Sequence, residues 1–336
     1  MSAGPGTRAR GGGGAHPPVE RIEVPTPFTV GPVNAYLIRD DPVTLVDCGP
    51  LTPEAWDALL RGLRRAGVPP GRIERLVLTH PHHDHAGLAR RVREASGCPV
   101  LAHPVDRERL LDAPGVWEAI AGFLVEVCRR AGVPPGLRGA LEQTMEGLRQ
   151  YTEPLDAVEP LGEGDVLEGA GGPWQVVHTP GHARGALCLW HPSSGTLVSG
   201  DTLIPHISSN AILEPGSDRF REHTLPQYLA ALGRIRALRS RRVLPGHGDP
   251  MGPPDVLIDE RLAFHRARCR EILSRVEGGP GPVTPWDIAR ELFPGADPGY
   301  VFLAVSEVVG HLDLLARQGL VRFEGQEGVW LAEPAR

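Results

Sequence analysis

The 336-residue chain contains no lysine; its 35 basic side chains are all arginine. That bias says more about genome composition than about function. Carboxylates outnumber the arginines, giving a net charge of −6, which argues against a general nucleic-acid binder because backbone phosphates need clustered cations. No apolar run approaches the ~18 residues of a membrane span, so no membrane partner is expected. Residues 1–18 are rich in Gly and Pro and nearly free of bulky apolar side chains. They predict a disordered tail without the apolar centre of an export signal. The five cysteines (Cys48, Cys98, Cys128, Cys188 and Cys269) are scattered, odd in number and form no C-x-x-C pair. They read as buried reduced thiols in a cytoplasmic protein. With 41% hydrophobic and 23% charged residues, the rest is ordinary globular sequence, long enough for one large domain and a small one.

What is present in abundance is histidine in one place. Thr79-His80-Pro81-His82-His83-Asp84-His85 follows the apolar run Ile73–Leu78, which predicts a strand, and precedes a segment predicting a helix to about Ser96. His80 and His82 alternate along extended backbone and can face one way. Asp84 and His85 then turn a second pair of ligands towards a neighbouring point. Imidazoles with a carboxylate suit Zn²⁺, and their density suggests two ions. Further candidates stand at the ends of other predicted strands: His182 after Val176–Thr179, Asp201 after Thr196–Ser199, His247 after Arg242–Leu244, and Asp47 after Leu45–Val46.

The ordered set resembles the metallo-β-lactamase-fold superfamily. The H-x-H-x-D-H signature of that superfamily falls on His80, His82, Asp84 and His85, and its later motifs fall on His182, Asp201 and His247. The resemblance implies an α/β protein, an αββα sandwich. It also implies that His80, His82 and His182 hold one metal, Asp84, His85 and His247 the other, and that Asp201 bridges them. Asp47 is implied as a support outside the ligand set. Cys48 reads as a small buried filler. Two Zn²⁺ are expected, with Fe or Mn as alternatives, since availability often decides between them.

Strand and helix patterns place the sandwich at 19–254. Within it, 104–155 reads as a helical insert at the mouth of the site, proposed as a lid: Val105–Leu111, Val116–Ala131 and Leu137–Thr152 have helical period, with Trp117, Ile120, Phe123, Leu124 and Val127 on one face. At its start His103 reads as structural, and beyond it His206, Asn210 and Arg184 read as secondary candidates for substrate contact. His83 is expected to point outward, and His178, His191, His223, His265 and His311 lack metal spacing. Residues 255–336 predict a linker helix, Asp255–Val276, then helices over Thr284–Leu292 and Tyr300–Gln318. A hairpin of Leu320–Phe323 and Gly328–Leu331 around Glu324–Glu327 completes the unit. This resembles a winged-helix module, and the combination resembles a branch of the superfamily that carries one. That branch includes an endoribonuclease and acyl-carrier-protein thioesterases. Within 280–336, however, four arginines (290, 317, 322, 336) face eight carboxylates, so the module reads as a packing or dimerisation element.

Metal-assisted hydrolysis through a hydroxide shared by two cations follows from the resemblance, with Asp84 also orienting the nucleophile. The expected substrate is a small ester or thioester, as in glyoxalase-II-like hydrolases. The alternatives are an RNA phosphodiesterase and a mononuclear-iron persulfide dioxygenase using His80, His182 and Asp201.

Overall fold

In the computed structural model, residues 18–112, 115–216, 220–295, 297–326 and 328–335 are described; all but the last residue of the expected tail lies outside them. Two sheets form the centre. The first runs β1 (Val19–Val24), β2 (Val33–Ile38), β3 (Thr44–Val46), β4 (Arg75–Val77), β5 (Val100–Ala102) and β6 (Glu159–Pro160), in that order across the sheet. The second comprises β7 (Val166–Leu167), β8 (Trp174–His178), β9 (Leu187–His191), β10 (Thr196–Gly200) and β11 (Arg242–Pro245), with β11 parallel to β10 at one edge. The two-residue strands β6 and β7 carry too little pattern to be legible in the sequence.

Period-2 alternation sorts the side chains into layers. Tyr36, Ile38, Val46 and Val77 point between the sheets and meet Trp174, Val176, Leu187, Leu189, Val198 and Leu244 from the other side. Their neighbours Ala35, Leu37, Leu45 and Leu76 point outward, onto helices α1 (Pro53–Arg65), α2 (His83–Ala86) and α3 (Ala89–Ser96). The predicted single helix to Ser96 is broken at Gly87. A Cβ there would lie 2.3–2.6 Å from Tyr151 O, His83 O and Leu51 N, so the chain is pinned between three backbones. On the far face, Leu197, Trp190 and Val243 pack against a later pair of helices, completing the αββα order.

The segment between β5 and β6 holds α4 (Arg107–Leu110), α5 (Val116–Arg130) and α6 (Pro135–Leu148). The pair over the second sheet is α7 (Thr224–Ala237) and α8 (Asp255–Gly278). The chain ends in α9 (Pro285–Leu292), α10 (Val301–Arg317) and a hairpin of β12 (Val321–Gln326) and β13 (Val329–Pro334). Thr284 caps α9 through a reciprocal box with Asp287, and Pro285 follows at the first helical position. The hairpin is longer than the sequence predicts: pairing continues through Glu324, Gly325 and Gln326, with Gln326 opposite Val329. Gly328 at φ +80 supplies the positive φ that so short a turn demands.

One apolar cluster unites the inserted and C-terminal segments. Trp117, Phe123, Val127 and Leu141 share it with Ile272 of α8, Ile288 of α9, Val305, Val308 and Leu312 of α10, and Trp330 of β13. Among the described residues no helix is long and apolar enough to cross a membrane.

Candidate metal centre

The strands that end at the site deliver their side chains to one edge of the sandwich, the carboxyl ends of β3, β4, β8, β10 and β11. Asp47 follows β3 with φ +57, a left-handed conformation that Asp tolerates better than most residues. Its carboxylate accepts from Thr79 N–H and Thr79 Oγ1–H, both at 2.8 Å, and from His85 Nδ1 at 2.8 Å. One carboxylate thus orients the motif loop at two points.

The same network fixes the ring nitrogens. Because the Thr79 hydroxyl proton goes to Asp47, its oxygen accepts from His80 Nδ1–H, 3.0 Å away. His182 Nδ1 faces Asn210 O at 3.1 Å and Ser209 Oγ at 3.0 Å, and His247 Nδ1 faces Pro32 O at 2.8 Å. Carbonyls only accept, so those Nδ1 atoms carry the proton and each Nε2 presents a lone pair.

These Nε2 atoms converge. Three sets of ligand atoms each lie within 4.8 Å of one another: His80, His82 and His182; His80, His85 and Asp201; Asp84, His85 and His247. Asp201 stands between, 3.3 Å from His85 Nε2 and 3.6 Å from both His182 Nε2 and His247 Nε2. His80 Nε2, His85 Nε2, His247 Nε2 and Asp201 Oδ1 are buried without a hydrogen-bond partner. With the imidazoles neutral, all four are acceptors and cannot satisfy one another, whereas cations satisfy them all. Among the described residues, Asp47, Asp84 and Asp201 form ion pairs only with imidazoles. Burial opposes charge on His85, but Asp201, Asp47 and Asp84 outweigh it and hold its pKa well above the ordinary range. Burial, His85 and the other imidazoles push His80 well below it. An N/O set with surplus buried carboxylates fits divalent cations.

Gly246 makes the close approach possible: a Cβ there would lie 2.1 Å from Asp201 Oδ1 and 2.8 Å from His85 Cε1. β2 clamps the same loop, since Asn34 Nδ2 donates to Pro245 O at 2.9 Å and to Gly248 O at 2.7 Å, and Tyr36 Oη–H to Pro245 O at 2.7 Å. Sequence reading missed Asn34, Thr79, Ser209 and Pro32. The one signal was an Asn inside a strand pattern, where Asn is depleted; main-chain acceptors such as Pro32 O leave no signal at all.

The remaining candidates fall elsewhere. Cys48 is buried, with its Sγ–H on His85 O at 3.2 Å, and burial raises its pKa. His103 caps a short turn at Val105 N and stacks on His178 at 4.2 Å. His83 does turn from the cluster, but towards Trp117 of the insert, 5.8 Å away and edge-on; burial, then Arg109, lowers its pKa to about 4. Arg184 donates its backbone N–H to Glu214. Beside it Asp106 is buried, and its carboxyl lies where a Gly185 Cβ would be, 2.0 Å from Oδ2. Burial and then Glu214 raise the Asp106 pKa to about 8 against Arg109 and Arg184.

Comparison with known proteins agrees with this geometry. Residues 28–247 match the family model of the metallo-beta-lactamase superfamily. The chain is 34% identical over 295 residues to a probable metallo-hydrolase, YqjP, of Bacillus subtilis, covering 88% of this chain and 91% of the relative. It is also similar to a metallo-beta-lactamase family protein, TTHA1429, of Thermus thermophilus, at a TM-score of 0.79 and 29% identity, covering 94% of this chain and 98% of that one. A beta-lactamase domain protein of Burkholderia ambifaria superposes with a TM-score of 0.77 at 26% identity, over 94% of this chain and 92% of that one. A match spanning most of the sandwich, set on a site of this composition, places the chain in the metallo-beta-lactamase superfamily, among its metal-dependent hydrolases.

Proposed function

We propose that the protein is a dinuclear metal hydrolase of a small ester or thioester. In this reading His80, His82 and His182 hold one cation, Asp84, His85 and His247 hold the other, and Asp201 lies between them. The observation that carries it is the set of buried, unpartnered atoms His80 Nε2, His85 Nε2, His247 Nε2 and Asp201 Oδ1 converging at one edge of the sandwich. Bound there, two divalent cations supply Lewis acidity to a water and to the scissile carbonyl. The protein supplies orientation and proton handling. Asp47 holds His85 and, through Thr79, His80 in the tautomers that present Nε2. Asp84, the least buried of the three carboxylates, accepts the proton that the attacking water gives up. In this reading the insert walls one side of the approach; supporting it are Trp117 against His83 and Tyr151 packed on Phe28 at 5.2 Å.

A nucleic-acid substrate finds little support. Of the arginines in the C-terminal unit, Arg290 pairs with Asp287 and Arg322 with Glu333, leaving few cations for phosphates. Zinc is the proposed metal, with iron or manganese taking the same donors. The test is metal content by mass spectrometry beside a thioester-hydrolysis assay. The expected result is about two zinc ions per chain with turnover. About one iron per chain, with oxygen uptake on a persulfide, would replace this reading with a dioxygenase.

A further inference from the structure

The backbone carbonyls that orient His182 and His247 sit in two loops far apart in sequence, yet one helix touches both. Asn210, whose carbonyl faces His182 Nδ1, donates its side-chain Nδ2–H to Leu303 O of α10 at 3.2 Å. Three residues on, Leu213 N–H donates to Ser306 Oγ of the same helix at 3.4 Å. In the other loop, Pro32 O faces His247 Nδ1, and Thr29 Oγ1 lies 3.2 Å from the hydroxyl of Tyr300, the residue that opens α10. That loop is tied to itself by Thr26 Oγ1–H on Gly31 O at 2.7 Å. Tyr300, Leu303 and Ser306 lie three residues apart, on one face of the first two turns.

From this we infer that the C-terminal unit is a frame for the metal centre: the first turns of α10 set the His182 and His247 rings through Asn210 and Tyr300. The inference rests on the ligand assignment above. It makes Asn210 and Tyr300 positioning residues that touch neither substrate nor metal. It also gives the helix–helix–hairpin unit a task that needs no nucleic acid. The contacts differ in strength. The Asn210 side chain is partly buried and tied to a helix carbonyl, whereas the Tyr300 hydroxyl contact is exposed. The effect at His182 therefore exceeds that at His247.

The test uses the full chain and binding of zinc and cobalt(II), not turnover. Asn210→Ala keeps the carbonyl to His182 and removes only the tether. It should weaken one of two zinc ions ~10–100-fold in chelator competition. It should also alter the cobalt(II) visible spectrum and leave the melting temperature of the metal-free protein unchanged. Ser306→Ala should move the same ion by less, and Tyr300→Phe should weaken the other ion a few-fold. Zinc affinities and cobalt spectra equal to those of the unaltered protein would overturn the inference. So would parallel loss of both ions together with metal-free stability, which marks general loosening. A failure of thioester turnover alone would leave these readouts, and the inference, standing. An unaltered protein that binds no zinc would overturn the ligand assignment and the inference together.

Discussion

At the scale of single residues the site is a problem of buried charge. Asp201 lies 7% exposed among imidazoles. Asp201→Ala is expected to abolish turnover and lower metal content while far-ultraviolet circular dichroism stays native; unchanged turnover would sink the two-metal reading. Asp106 poses the opposite problem, a carboxyl whose folded pKa, about 8, lies above the ordinary carboxylate value. Folding therefore favours the protonated form. Its contribution is fully present below the unfolded value near ~3.9 and is lost as pH rises through about 8. Asp106→Asn, neutral throughout, should raise the urea midpoint at pH 8 and change it least near pH 4. Gains of roughly 1–3 kcal/mol are expected at the upper end. An equal effect at both pH values would mean that Asp106 does not titrate in this window.

At the scale of elements, the segment leading into α7 is joined to α10 by a partly buried ion pair. Arg221 holds Asp313 of α10 in a two-pronged contact, one arm at 2.7 Å, and His223 Nδ1 lies 3.1 Å from the same carboxylate. Burial alone would raise the Asp313 pKa; Arg221 and His223 overcome it and lower it. The stabilisation is thus present above the unfolded carboxylate value and lost as pH falls through the lowered one. Asp313→Ala strands the Arg221 guanidinium and should cost about 3–5 kcal/mol in denaturant unfolding at pH 7. Most elements of this size were legible in the sequence. α8, α9 and α10 fall within two residues of their predicted bounds because an apolar period or clear end signals mark each. All seven candidate ligands converge because each lies past the carboxyl end of a strand, on loops or the short helix α2 that the sandwich brings to one edge. The break at Gly87, the two-residue strands and the carbonyl partners of the histidines were illegible. They depend on what another part of the chain brings close, and no local pattern encodes that.

At the scale of the molecule, the core shared by the insert and the C-terminal unit decides how the chain behaves as a whole. Val127, Val305, Val308 and Leu312 are fully buried in it. Leu312→Ala should cost ~2–5 kcal/mol. Because α5 and α10 share that core, the loss should appear in the insert as well. Tryptophan fluorescence, including Trp117, and circular dichroism should lose structure at one shifted midpoint. Two separated transitions would show that insert and C-terminal unit fold independently.

The five cysteines lie buried, each as a free thiol. Native sulfur therefore offers little to a surface-reactive label, and a cysteine placed at an exposed position becomes the preferred point of attachment. Glu118 on α5 and Arg317 on α10 are both exposed, the first on the inserted segment and the second on the C-terminal unit. Spin labels at that pair turn the packing of the molecule into a ruler: a shared core holds the two points at one separation, in solution and during turnover alike.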